Sequence, residues 1–163
     1  MTHAIFFNGP IGSGKTTLGR AVAPRIGGAF LDGDDYADHS GPWFTSSLST
    51  SQRIASAVLV ELQAGRVAIV AYPLRCINYV YFRRSVTKAG YHSIFVTLRA
   101  SAASIVATTR GRQFDAAERD RIAEMVAQGY ADRPFSDLIV NTDIAGFDET
   151  VETLVARLVP LLA

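Results

Sequence analysis

Eight consecutive residues near the N-terminus have the types and the spacing of a loop that holds phosphate groups. The pattern G-x-x-x-x-G-K-S/T is met without a mismatch by Gly9-Pro10-Ile11-Gly12-Ser13-Gly14-Lys15-Thr16. The glycines let the backbone turn N–H groups inward around an anion, and a helix that begins after the loop adds the positive end of its dipole. Lys15 supplies a mobile positive charge and Thr16 a hydroxyl group for Mg²⁺. The sequence therefore predicts a site for a nucleoside triphosphate that extends from Gly9 to Thr17.

Aspartates are concentrated shortly after this loop. No acidic residue occurs before Asp32, and four aspartates then fall within seven residues: Asp32, Asp34, Asp35 and Asp38. The chain has two lysines against fourteen arginines, so that Lys15 stands out. A phosphate site followed by a Mg²⁺ site would give this order of charges, because carboxylate oxygens are ligands that Mg²⁺ prefers. A turn rich in Asp and Gly is also common on protein surfaces, so composition alone leaves both interpretations open.

Two large classes of phosphate-loop proteins lack support in the rest of the chain. Motor, AAA and many transport ATPases carry an acid at the end of a long apolar strand, but here Val67–Ala71 is followed by Tyr72-Pro73. A GTPase needs a D-x-x-G segment in the middle of the chain and an N-K-x-D segment that reads the base. The sequence has no N-K-x-D, and its two D-x-x-G segments, at residues 38–41 and 143–146, both lie outside the middle of the chain.

The acid-rich segment resembles a turn found in a group of small kinases. Leu31-Asp32-Gly33-Asp34-Asp35 is similar to the D-G-D turn of the gluconate kinase, shikimate kinase and adenylylsulfate kinase group. The resemblance spans most of the chain in layout, and sharp identity is confined to residues 9–16 and 32–35. It implies an ATP-dependent phosphotransferase that moves the γ-phosphoryl group of ATP to a hydroxyl of a small, anionic metabolite. Gluconate is the first expectation, with shikimate, adenylylsulfate or a nucleotide as alternatives, and a nucleotide-binding module without transferase activity remains a further one.

The resemblance also implies roles for the acids and for the lid. In these kinases the first acid of the turn lies near the water shell of Mg²⁺, which makes Asp32, together with Thr16, the expected metal site. The second acid approaches the acceptor hydroxyl, so that Asp34 is expected to act in catalysis with Lys15. A lid around residues 110–118 is expected to bring Arg110 and Arg112 to ATP, with Arg110 stabilising the transferring phosphoryl group.

The expected acceptor site combines acids with arginines. Asp34 and Asp35 belong to it through the D-G-D turn. Arg53 resembles an arginine that gluconate kinases carry beside aspartates, but the neighbours here are Thr, Ser and Gln, and the F-R-x-x-E pattern of shikimate kinases is missing too. Arg75 follows the third strand, where such kinases hold an anionic substrate or a phosphate. Both arginines could pair in a bidentate manner with an anionic acceptor.

Strand and helix patterns alternate along the chain, which indicates parallel strands joined by right-handed crossovers. We expect Val67–Ala71 to be the central strand and residues 36–48 to form a loop or a partly helical excursion. The fold class predicted is α/β, a three-layer α/β/α phosphate-loop NTPase fold with a parallel five-stranded sheet and ligands at the carboxyl ends of the strands. The predicted strands are residues 4–8, 29–31, 67–71, 92–98 and 138–141, and the predicted helices are residues 16–26, 50–64, 77–89, 102–109, 116–128 and 149–162.

Length and composition limit the partners. The 163 residues suit one domain, residues 1–163, and the net charge of +1 gives no field that favours nucleic acid. The longest apolar runs are far shorter than the roughly 20 residues that cross a bilayer, and the N-terminus lacks the basic segment of a signal peptide. A lone cysteine, Cys76, fits a reducing compartment. We therefore expect a cytoplasmic monomer or homodimer that binds a small-molecule acceptor and neither nucleic acid nor membrane.

Overall fold

The computed structural model describes residues 2–41, 43–107 and 111–163, with backbone alone at residues 43–45. Strands and helices alternate in these ranges as the sequence predicts. The strands are β1 (His3–Asn8), β2 (Gly28–Asp32), β3 (Val67–Ala71), β4 (His92–Arg99) and β5 (Leu138–Asn141). The helices are α1 (Lys15–Arg25), α2 (Trp43–Gln63), α3 (Cys76–Lys88), α4 (Ala102–Val106), α5 (Ala116–Ala127) and α6 (Phe147–Leu158), with short 3-10 helices at Gly33–Tyr36 and Val159–Leu161.

The five strands form one parallel sheet in the order β2-β3-β1-β4-β5. This confirms the predicted parallel sheet, but the expectation that β3 is central is wrong. The middle position belongs to β1, which pairs with β3 on one side and β4 on the other. β3 still has a neighbouring strand on each side, so it is an interior strand. An interior strand is covered on both faces just as a central strand is, and this burial explains its apolar sequence.

Alternate side chains of β1 enter two separate cores. Ile5 and Phe7 pack with apolar residues of α1 and α6, whereas Ala4 and Phe6 pack with those of α2 and α3. All six residues of the strand are buried. Helices therefore cover both faces of the sheet, and the loop that follows β1 emerges at the middle of its carboxyl edge.

A third, smaller apolar cluster lies beyond the carboxyl ends of the strands. Ile105 of α4 and Ile122 of α5 pack there with Phe114, which precedes α5, and Ile11 of the phosphate loop lies against them. The predicted lid around residues 110–118 begins at Arg110, which lies outside the described residues. From Gly111 onward the segment leads into α5 next to the phosphate loop.

Two helices differ from their predicted extents. α2 begins at Trp43 rather than at Thr50, so that residues predicted as a loop or a partly helical excursion form its first two turns. α4 ends at Val106, and the last two residues of the helix predicted at 102–109 lie outside the described residues. Within the part of the chain that the structure describes, no helix combines the length and the apolar character needed to cross a membrane.

Candidate nucleotide and acceptor site

Close packing explains the glycines of the phosphate loop. Gly12 has a φ of +77°, and a Cβ placed there would lie 2.6 Å from Ile105 Cγ2 and 2.9 Å from Phe114 Cζ. A Cβ on Gly9 would lie 2.7 Å from the carbonyl oxygen of Leu98. Since larger residues would force these neighbours apart, the loop can be seated on β4 and on the apolar cluster of α4 and α5 only with glycine at both positions.

The ammonium group of Lys15 is held inside this loop. Its Nζ atom donates to the carbonyl oxygens of Gly9 and Pro10, at 2.9 and 2.8 Å. Burial lowers the pKa of Lys15 from its usual 10.5 to about 8. The carboxylates of Asp34 and Asp32 oppose that shift, so both acids lie close enough to act on the ammonium group.

Thr16 and Asp32, the predicted metal site, are in direct contact. Thr16 Oγ1 donates to Asp32 Oδ2 at 3.1 Å, and the backbone N–H of Asp34 donates to Asp32 Oδ1 at 3.2 Å. The guanidinium group of Arg20 is 3.9 Å from the same carboxylate. Among the described residues no group of three or more His, Cys, Asp or Glu side chains could hold a metal alone. Mg²⁺ needs no such group, because it retains waters and takes substrate phosphate oxygens as ligands; one hydroxyl beside one carboxylate fits it.

A cleft of about 830 Å³ opens over the phosphate loop. One part of its wall is Asp34, which follows β2, and Pro73, which follows β3; on the other side of the loop lie residues that follow β5, among them Thr142 and Phe147. Helix α5 and the segment before it supply further wall. Of the residues predicted for the site, the cleft is lined by Ile11, Gly12, Gly14, Lys15, Thr16, Thr17, Asp34 and Arg112.

Arg112 reaches the cleft from the segment before α5. Its guanidinium carbon lies 4.7 Å from the centre of the Phe114 ring, and Nη2 donates to Glu118 Oε1 at 3.3 Å. Glu118 also helps to cap the N-terminus of α5, since Asp115 and Glu118 form a reciprocal capping box. The charge of Arg112 contributes to lowering the pKa of Lys15, so two cations lie at the same site. Arg110, for which a catalytic role was predicted, lies outside the described residues.

The remaining predicted acceptor residues do not line this cleft. Arg53 pairs with Asp38 at 3.6 Å, and Arg75 Nε donates to the hydroxyl of Tyr130 at 3.2 Å. Asp35 is exposed, and its charge adds to burial in raising the pKa of Tyr36. Arg75 and the acid turn are nevertheless both near Tyr72, because the charge of Asp34 raises the pKa of Tyr72 and the charge of Arg75 lowers it.

No model of a known protein family matches the chain. A shikimate kinase of Psychrobacter cryohalolentis is 46% identical over 35 residues, which cover 22% of this chain and 19% of that protein. The structure is similar to a gluconokinase from Sinorhizobium meliloti 1021, with a TM-score of 0.76, 18% identity, and coverage of 98% of this chain and 93% of that one. It is also similar to an APS kinase of Mycobacterium tuberculosis in complex with AMPPNP and APS, with a TM-score of 0.65, 18% identity, and coverage of 96% and 97%. The chain has the three-layer α/β/α P-loop NTPase fold that these proteins share.

Buried polar residues that motif analysis missed hold the parts of this fold together around the site. Asn8 Nδ2 donates to Thr97 Oγ1 and to the carbonyl oxygen of Tyr130, both at 3.1 Å, and Asn8 Oδ1 accepts from the backbone N–H of Leu74 at 2.7 Å. Thr142 Oγ1 donates to the carbonyl oxygen of Ser13 at 2.9 Å, which ties the segment after β5 to the phosphate loop. An asparagine at the end of an otherwise apolar strand is the one sequence signal that could have indicated the first of these contacts.

Proposed function

We propose that this protein is an ATP-dependent phosphotransferase that moves the γ-phosphoryl group of ATP to a hydroxyl group of a small, anionic metabolite. The observation that carries the proposal is that one cleft contains Lys15 and Thr16 of the phosphate loop together with Asp34, which follows β2. A site that only bound nucleotide would have no need of a second, exposed carboxylate facing the phosphates.

The residues divide the reaction between binding and proton transfer. The loop amides, Lys15 and Arg112 hold the phosphates and balance the charge that builds up as the γ-phosphoryl group leaves ADP. Asp34 accepts the proton of the acceptor hydroxyl group. The oxygen of that hydroxyl group forms the new bond to phosphorus as the bond from phosphorus to the β-phosphate oxygen breaks. Mg²⁺ held by Thr16 and Asp32 would neutralise part of the phosphate charge. Arg110 remains proposed as a further cation of the lid.

The acceptor is proposed to be a sugar acid such as gluconate, with shikimate and adenylylsulfate as alternatives. The presence of a gluconokinase and an APS kinase among proteins with this fold supports that range of acceptors. Of the two predicted arginines, Arg75 is the stronger candidate for binding the anionic group, because its charge and that of Asp34 both affect the pKa of Tyr72. Arg53 already has Asp38 as a partner, so it would bind an acceptor only by sharing its guanidinium group. Asp35 is proposed as an outer member of this site, and the protein as a cytoplasmic monomer or homodimer.

A coupled ADP-release assay tests the proposal. Purified protein with Mg-ATP is offered gluconate, shikimate, adenylylsulfate and nucleoside monophosphates one at a time, and one of these should raise ADP release well above the background. Asp34→Asn should then reduce kcat by at least about 100-fold and change the KM for ATP little, because the base is lost while the phosphate loop is untouched. Asp120→Asn removes an exposed carboxylate of α5 outside the cleft and serves as the matched control.

Two outcomes would contradict the proposal. If ATP binds but no acceptor in the panel supports turnover, the protein is a nucleotide-binding module. If one acceptor does support turnover and Asp34→Asn retains it, the transfer is real and the assigned base is wrong.

A further inference from the structure

Tyr72 occupies the place after β3 where other phosphate-loop proteins carry an acid, and its backbone is fixed to the central strand. The N–H of Tyr72 donates to the carbonyl oxygen of Phe7 at 3.1 Å, which continues the β1–β3 pairing by one residue. Two residues later, the N–H of Leu74 donates to the buried side chain of Asn8. The chain on both sides of Pro73 is thus held by the end of β1, directly before the phosphate loop, so that the Tyr72 ring starts from a fixed point.

The ring of Tyr72 lies directly on Gly33, the middle residue of the acid turn. A Cβ placed on Gly33 would lie 2.5 Å from Tyr72 Cδ2 and 2.8 Å from Tyr72 Cβ. Gly33 is buried although the aspartate after it is exposed. Since carbon atoms pack at about 3.5 to 4 Å, only a residue without a side chain can lie this close to the ring.

Asp34 is the residue directly after Gly33. It is the second residue of the 3-10 helix Gly33–Tyr36, and its N–H is held by the Asp32 side chain. The pKa of Tyr72 is raised by burial and by Asp34, and the charge of Arg75 opposes that rise. The phenol is therefore close enough to both Asp34 and Arg75 for each charge to affect its pKa, and Asp34 also lines the cleft.

We propose that Tyr72 is a positioning residue for Asp34: its ring, packed on Gly33, sets where the Asp34 carboxylate stands relative to Lys15 and Thr16. This inference rests on the proposed function, in which Asp34 accepts the proton of the acceptor. The aromatic plane performs this role and the hydroxyl group is not needed for it. A displacement of about 1 Å at a catalytic group can cost about 100-fold in rate, so a ring that fixes one turn is sufficient to matter.

Substitutions at Tyr72 separate the ring from the hydroxyl group. With the acceptor found by the ADP-release panel, Tyr72→Phe should keep kcat within about threefold of the wild-type value. Tyr72→Leu should lower kcat by about 10- to 100-fold and change the dissociation constant for Mg-ATP by less than about threefold, because the phosphate loop keeps its own contacts. Tyr91→Leu is the matched control: Tyr91 packs on the same apolar core but precedes β4, at the opposite edge of the sheet. It should lower stability without lowering kcat.

The crystal structure of Tyr72→Leu gives a second measurement that does not require turnover. The Asp34 carboxylate should be displaced relative to Lys15 by on the order of 1 Å, and Tyr72→Phe should leave it in place. If no acceptor supports turnover by the wild-type protein, the proposed function fails, and this displacement still tests the positioning role. Wild-type rate in Tyr72→Leu, an unmoved Asp34, or an equal loss in Tyr72→Phe would each overturn the inference.

Discussion

Lys15 combines two properties that are in tension. Its ammonium group is partly buried in the phosphate loop, and that burial lowers its pKa to about 8. In the protein without nucleotide its hydrogen bonds go to two carbonyl oxygens of the same loop. A triphosphate brings several negative charges to this point, and those charges favour the protonated form. Nucleotide binding and proton uptake at Lys15 are therefore linked.

This linkage predicts weaker nucleotide binding at alkaline pH. Below pH 8 Lys15 is already protonated, so affinity should be nearly constant. Above pH 8 the free protein loses the proton, which must be regained on binding, and the dissociation constant should rise towards about tenfold per pH unit. Titration calorimetry with Mg-ATP at pH 7.5, 8.5 and 9.5 measures the effect. Lys15→Met should bind weakly at all three values, and a wild-type affinity that stays constant to pH 9.5 would contradict the assignment.

Strand β1 does more than lead into the phosphate loop, because its last residue joins three other segments. Asn8 is fully buried and bonds to β4, to the segment after β3 and to the segment after α5. These segments carry Thr97, Tyr72 and Arg75, and Tyr130. A buried amide with both its donor and acceptor atoms satisfied fixes the relative positions of its partners, since each alternative arrangement leaves a polar group without a bond.

Asn8→Ala should therefore destabilise the fold by about 3 kcal/mol, since it leaves the N–H of Leu74 and the carbonyl of Tyr130 without this partner at a cost of about 1 to 3 kcal/mol each. The lost hydrogen bond to Thr97 costs less free energy, because the Thr97 hydroxyl group also bonds to Ser136 Oγ at 2.6 Å. Urea denaturation followed by circular dichroism measures the difference. Asn141→Ala, at an exposed position of β5, is the control and should change the free energy of unfolding by less than about 0.5 kcal/mol. Equal effects of the two substitutions would show that the Asn8 contacts add little.

At the scale of the whole molecule, the sequence predicted the features that depend on neighbouring residues. The phosphate loop and the acid turn are each continuous, and the alternation of strand and helix patterns led to the parallel sheet. The sequence leaves the first turns of α2 open between a loop and a partial helix. Residues 45–51 are mostly Ser and Thr, which favour helices weakly, and the apolar stripe that packs on the sheet starts only at Ile54. Thr50 and Ser51, which follow those turns, are buried and accept hydrogen bonds from the backbone N–H of Asp38 and from Asn78 Nδ2, contacts that local preference does not include.

Contacts between distant residues could not be predicted in this way. Asn8 meets Leu74 across 66 residues of chain, and Thr142 meets Ser13 across 129. The predicted role of Arg53 shows the same limit, since no pattern in the sequence indicates that Asp38 pairs with it. Strand order decides which loops meet at the carboxyl edge, and strand order is a property of the assembled sheet.

That strand order also predicts which part of a nucleotide stabilises the protein. The phosphate loop follows the central strand, with the acid turn on one side and the segment after β5 on the other, so the triphosphate lies where most of the site residues converge.

A ligand that binds only the folded state at 100 times its dissociation constant adds about 2.7 kcal/mol of stability, or about 5 to 10 °C in Tm for a chain of this length. Mg-ATP and inorganic tripolyphosphate with Mg²⁺ should both give shifts of this size in a thermal denaturation series, whereas adenosine at the same concentration should give less than about 2 °C, because the loop amides and Lys15 recognise phosphate oxygens. A larger shift with adenosine than with tripolyphosphate would place the main binding energy on the base and away from the loop.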